Sequence, residues 1–199
     1  PARVPGRWAL HQLCAVMLLF YCFGYVTRPF FAVYWQAVAQ WNSEVAAGFV
    51  YALPGGIAML ALWWSRRARG APDHRRGILA ALLMCAAASA LQGVENQWVI
   101  LLGRVLFGWS IYQVTVRLDA LMFEISTPER YAVDFSKVNI FQGAGNMLSA
   151  YGAGLLIAGF GQGMPFWTGA LGLLLTAAVF AATLGRGAFN GPAAARPPR

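Results

Sequence analysis

The chain is predicted to be an all-α membrane protein: six transmembrane helices in one bundle, with both termini on the cytoplasmic side. Three observations predict this. The first is composition. Hydrophobic residues make up 59% of the chain, charged residues 11%, and the mean hydropathy is +0.54. Soluble domains are roughly half apolar and a quarter charged. The second is length: the segments near 8–35, 45–65, 77–94, 98–122, 135–160 and 164–185 are each apolar and long enough for a bilayer core of about 30 Å. The third is the sidedness of charge. Threading the segments alternately puts Arg3, Arg7, Arg66, Arg67, Arg69, Arg75, Arg76, Arg130, Lys137, Arg186, Arg196 and Arg199 on one face. The turns on the other face carry only Glu44 and Glu95. The positive-inside rule makes the basic face cytoplasmic.

The elements follow in order. Residues 1–7, with Arg3, Pro5 and Arg7, read as a cytoplasmic linker, and 8–186 as the bundle. Because the chain starts at Pro1 in linker-like sequence, it is expected to be the C-terminal piece of a longer chain. Span one carries Gly24 and Pro29, and span two Pro54-Gly55-Gly56. Such residues are tolerated in membrane helices where neighbours satisfy the freed backbone groups. A basic loop, 66–77, joins spans two and three. Span four runs to Glu124 and is followed by the turn Ser126-Thr127-Pro128-Glu129-Arg130. Span five starts near Asp134 and is rich in glycine (Gly143, Gly145, Gly152, Gly154, Gly159), which permits close helix approach. Span six has few polar groups and reads as scaffold facing lipid and its neighbours. Residues 187–199 are an Ala/Pro/Arg tail of disordered composition.

Several function classes are excluded. The net charge of +8 is topological in origin, so no nucleic-acid partner is expected. No P-loop, Rossmann glycine run, zinc spacing or hydrolase elbow occurs, so neither an enzyme nor a cofactor is expected. Cys14, Cys22 and Cys85 lie inside spans and read as small buried hydrophobes. His11 and His74 are far apart in sequence and form no pair.

The basic loop reads Arg66-Arg67-Ala68-Arg69-Gly70-Ala71-Pro72-Asp73-His74-Arg75-Arg76-Gly77. It resembles, in degenerate form, the G-x-L-x-D-R-x-G-R-R loop of the major facilitator superfamily. Gly103-Arg104-Val105-Leu106-Phe107-Gly108 is similar to that family's G-R-x-x-x-G pattern. Glu124 with Pro128-Glu129-Arg130 resembles its E-x-x-P-x-x-x-R turn with one spacer missing, and the glycine-rich span five resembles its fifth or eleventh helix. The resemblance covers nearly the whole chain. It implies the C-terminal six-helix half of a secondary transporter, which binds substrate near the midplane between two halves. It also implies a bacterial inner-membrane location, a small-molecule substrate and a second six-helix half as partner. Alternatives are a small protein acting as a homodimeric carrier and a non-transport membrane scaffold.

The candidate path residues are Tyr21, Tyr25 and Arg28, at i, i+4 and i+7 on span one. An arginine within a span costs roughly 2.5–3.5 kcal/mol on insertion scales and faces a wet interior or snorkels outward. A guanidinium with two phenols suits an anionic solute. Arg104 on span four has a path or coupling role implied by the resemblance. Asn139, Gln142 and Asn146 stand on one stripe of span five and bind either substrate or neighbouring helices. Gln113, Arg117, Asp119 and Glu124 are expected to form an inner gate or structural charge network. Asp73, Arg75 and Arg76 would latch the loop if the resemblance holds. With two cations and no central acid within the spans, the expected substrate is a small organic anion.

Overall fold

The computed structural model describes residues 7–65 and 74–185. The proposed linker before Arg7, the tail, and Asp73 with the front of the basic loop lie outside the described residues. Among the described residues the chain forms seven α-helices: α1 (Arg7–Tyr25), α2 (Phe31–Val38), α3 (Glu44–Ser65), α4 (His74–Gln92), α5 (Gln97–Ile125), α6 (Tyr131–Phe160) and α7 (Met164–Phe180). A 3₁₀ turn (Pro128–Arg130) leads into α6, and a π-helical turn (Ala181–Gly185) extends α7.

Four helical segments are long and apolar enough to cross a membrane: Trp8–Tyr25, Glu44–Ser65, Gln97–Ile125 and Met164–Gly185. This is a helical membrane protein. The 22 residues of α3 rise about 33 Å at 1.5 Å per residue, which matches the hydrocarbon core. Exposed tryptophans mark both ends of the bundle: Trp8, Trp63 and Trp64 at one, Trp41, Trp98 and Trp167 at the other. Such belts sit at the two water–lipid interfaces. The remaining long helices, α4 and α6, are more polar. They carry Arg75, Arg76 and Gln92, and Asp134, Lys137, Asn139, Gln142 and Asn146, respectively.

The first apolar segment departs from expectation. It is not one helix over 8–35 but two, broken at residues 26–30. The cause is Pro29, which has no N–H to offer the carbonyl of Tyr25 four residues back. The N–H of Arg28 donates to that carbonyl instead, at 3.0 Å, and the tighter turn ends α1. After the break, α2 leads to the turn that returns the chain into α3. There the Gln40 N–H donates to Gln97 Oε1 at 3.0 Å, and Trp35 Nε1 donates to the Trp41 carbonyl at 2.9 Å. At the same end Asn96 caps α5, accepting from the N–H groups of Trp98 and Val99.

The main core lies among α1, α4, α5 and α7, around Leu13, Met17, Phe20, Leu82, Leu118 and Phe180. A smaller cluster at the far end holds Phe31, Tyr34, Trp35, Ile100 and Phe166. The last span was expected to be scaffold facing lipid and its neighbours. It packs between α1 and α4 and buries nine of its residues, among them Gly169, Leu173 and Thr176, while Leu171, Leu174 and Leu175 stay exposed. The peripheral helices are α3, whose buried residues are Ala47 and Ala61, and α6.

The most extensive pairings are α4–α5, α1–α6, α4–α7, α3–α5 and α1–α7. Exchanging the unit α1, α3, α4 for the unit α5, α6, α7 maps this set onto itself. Thus α1–α6 becomes α5–α3, α1–α7 becomes α5–α4, and α4–α7 is unchanged. The helices alternate in direction, so the two units run oppositely through the bundle. Close approach within it is bought by glycine: a Cβ on Gly145 would lie 2.6 Å from the Leu18 carbonyl oxygen of α1, and one on Gly108 would lie 2.6 Å from Pro54 Cα of α3.

Candidate functional site

A cavity of about 480 Å³ opens between α1, α3 and α5, within the common range for small-molecule sites. Tyr25, Arg28, Tyr51, Arg104, Phe107 and Tyr112 dominate its wall. Both prolines that interrupt the helical hydrogen-bond ladder border it: Pro29 ends the turn that presents Arg28, and Pro54 lines it directly.

The sequence stripe Tyr21–Tyr25–Arg28 is brought together, although the helix ends within it. The Tyr21 and Tyr25 rings stack with centroids 5.1 Å apart and planes 14° from parallel. The Arg28 guanidinium carbon lies 3.9 Å from the centre of the Tyr25 ring. Among the described residues Arg28 makes no ion pair and no side-chain hydrogen bond. It is exposed, so its N–H donors remain available.

Arg104 is different. It is 3% exposed, and three of its five N–H donors are taken by the protein. Nε donates to the Val50 carbonyl at 3.1 Å, one terminal nitrogen to the Tyr51 carbonyl at 2.5 Å, and the other to Gln92 Oε1 at 3.4 Å. Its plane covers Phe31 at 3.9 Å. The Val50 carbonyl needs this donor for a local reason. Its helical partner would be the N–H of residue 54, and residue 54 is proline. The Gly103-Arg104-x-x-x-Gly108 motif is therefore a junction of three helices. Gly103 lies against Ala88 and Gln92 of α4, Arg104 caps the α3 bend, and Gly108 seats on Pro54.

The other predicted residues lie elsewhere. Asn139 and Asn146 are exposed on the outer face of α6, and Gln142 donates to Met17 Sδ of α1 at 3.6 Å. None of the three lines the cavity. Arg117 accompanies Gln113, its Nε donating to Oε1 at 3.1 Å, and its guanidinium lies on Gly77 at the start of α4. Among the described residues it makes no ion pair with Asp119. Arg75 and Arg76 flank a shallow hollow against Leu79, Phe180 and Gly185 at the basic end.

Sequence reasoning missed the other walls of the cavity. Tyr51 and Tyr112 were not singled out, though both line it, and the Tyr112 hydroxyl lies 2.8 Å from Ser65 Oγ. It also missed Asp134, 5% exposed, which accepts from Ser126 Oγ at 2.7 Å and faces Arg130 at 3.8 Å. A carboxylate at the start of a span, eight residues after a serine in a turn, was the available signal.

Comparison with known proteins finds no matching family model and no similar curated protein.

Proposed function

We propose that this chain is one half-bundle of a secondary transporter and carries a small organic anion across the membrane by alternating access. The observation that carries the reading is an uncommitted arginine, Arg28, on the wall of a cavity inside a membrane bundle. Burying such a charge in lipid is expensive, and it persists where a wet path or a ligand meets it. Two further observations support the reading. The helix pairings exchange under inversion of two three-helix units, the internal symmetry of transporter halves. The alternation of helices also gathers Arg75, Arg76, Arg130 and Lys137 at one end and Glu44 and Glu95 at the other, as six passes with a cytoplasmic basic face require.

In this reading α3 and α6, the least buried helices, receive a second half-bundle. Their outward glycines Gly48, Gly143, Gly152, Gly154 and Gly159 have open space where a Cβ would stand, the surface that close helix packing uses. The membrane is the bacterial cytoplasmic one. The first test is the intact mass of the natural gene product, denatured, against the 21.6 kDa of this chain. A mass of about twice this supports a two-half carrier with six preceding spans; a mass near 21.6 kDa transfers the second half to another copy of the chain. Reconstituted into liposomes, the protein should exchange a labelled organic anion across the bilayer. Vesicles that hold the protein and exchange none would sink the carrier assignment.

A further inference from the structure

We infer that the cavity between α1, α3 and α5 selects a monoanion: one carboxylate carried on an apolar, aromatic body. The role of this ligand as cargo rests on the carrier reading above; its recognition does not. Among the described residues the cavity wall carries little charge. Two arginines stand there, and one of them is exposed, Arg28. Arg104 is 3% exposed and has given three of its five N–H donors to Val50, Tyr51 and Gln92 and its face to Phe31. Arg28 has spent only one face, on Tyr25. Among the described residues no aspartate or glutamate lines the cavity.

One free guanidinium offers a planar fork that matches a single carboxylate with two parallel hydrogen bonds. Beyond it the wall is mostly rings and hydrocarbon (Tyr25, Tyr51, Phe107, Tyr112, Pro54 and Val116), with Thr115 adding one hydroxyl residue. The Tyr112 hydroxyl is already engaged with Ser65, so this wall supplies aromatic faces more than free hydrogen-bonding groups. A second negative charge on the ligand would sit against these apolar groups with no cation to meet it, and a buried unpaired charge is costly. A cationic ligand would face Arg28 with no acid to balance it. A neutral ligand of the same shape would gain the packing and forgo the ion pair. The volume of about 480 Å³ accommodates one or two fused rings.

The test uses the full-length gene product in lipid nanodiscs, titrated by calorimetry with four probes. These are 2-naphthoate, its neutral analogue 2-naphthylmethanol, the dianion succinate and the cation benzylammonium. Naphthoate should bind at least about tenfold more tightly than each of the others, the scale of one charge-assisted bidentate contact. Arg28→Gln should bring naphthoate down to the affinity of the alcohol, and Arg28→Lys should recover part of the difference. The melting of each variant in the same discs must match the parent, which separates lost recognition from lost folding. Preference for succinate or benzylammonium, no naphthoate binding, or an Arg28→Gln protein that keeps the preference would each overturn the inference. Counterflow in liposomes distinguishes the two proposals. Naphthoate that binds but is not exchanged removes the carrier reading and leaves the site. Exchange of another solute without naphthoate binding removes the site and leaves the carrier.

Discussion

Arg28 and Arg104 are the same residue type on the wall of one cavity, and the protein uses them in opposite ways. Arg104 holds α3 and α5 together at Pro54. Replacing it with glutamine leaves the carbonyls of Val50 and Tyr51 short of donors, a penalty of about 1–3 kcal/mol. Reversible unfolding in mixed micelles should show that loss. Arg28→Gln removes a contact with Tyr25 alone and should cost no more than about 1 kcal/mol. The Arg104 assignment has a sharper check. In a Pro54→Ala background, residue 54 regains an N–H for the Val50 carbonyl, so Arg104→Gln should cost less there than in the parent. The coupling should be about 0.5–3 kcal/mol; strictly additive effects would refute the cap. From sequence alone both arginines read as path residues. What separates them is an orphaned carbonyl created by a proline in another helix, and a linear reading does not pair the two.

At the scale of elements, the glycines of α6 divide into two sets that composition does not distinguish. Gly145 is in backbone contact with α1, and Gly143, two residues away, faces open space. Gly145→Val should force α1 and α6 apart and cost about 1–3 kcal/mol, the range for overpacking. Gly143→Val should change the stability of this bundle by less than about 0.5 kcal/mol. Equal melting of the two variants would contradict the packing described. The apolar segments themselves were legible, because hydropathy reads burial in lipid directly. The break after Tyr25 was not read, although Pro29 was in view. Hydropathy is blind to the backbone hydrogen bond that a proline removes, and an uninterrupted apolar run from 8 to 35 conceals it.

Across the whole molecule, which helices meet was not legible. Segments apolar on every side carry little signal about which face is buried, so which side of α7 meets α1 and α4 was not read. The sidedness of charge was legible, because loop arginines need only be counted. The outward faces of α3 and α6 give a prediction at this scale. If a second bundle covers them, Phe49 and Met147 in the full-length protein should be shielded from a lipid-soluble photolabel, whereas Leu171 and Leu174 on α7 should react. Equal labelling at all four would mean that these faces meet lipid, and the two-bundle arrangement would fall.

The exchange symmetry of the pairings has one more consequence. Two units that run in opposite senses and pack alike make a body that looks much the same from either side of the membrane, apart from its charge. Such a scaffold contains no arrow. In a carrier built this way, the net flow of solute takes its sign from the gradients across the bilayer. Reversing those gradients in a vesicle would turn an importer into an exporter without moving a single helix contact to a new partner.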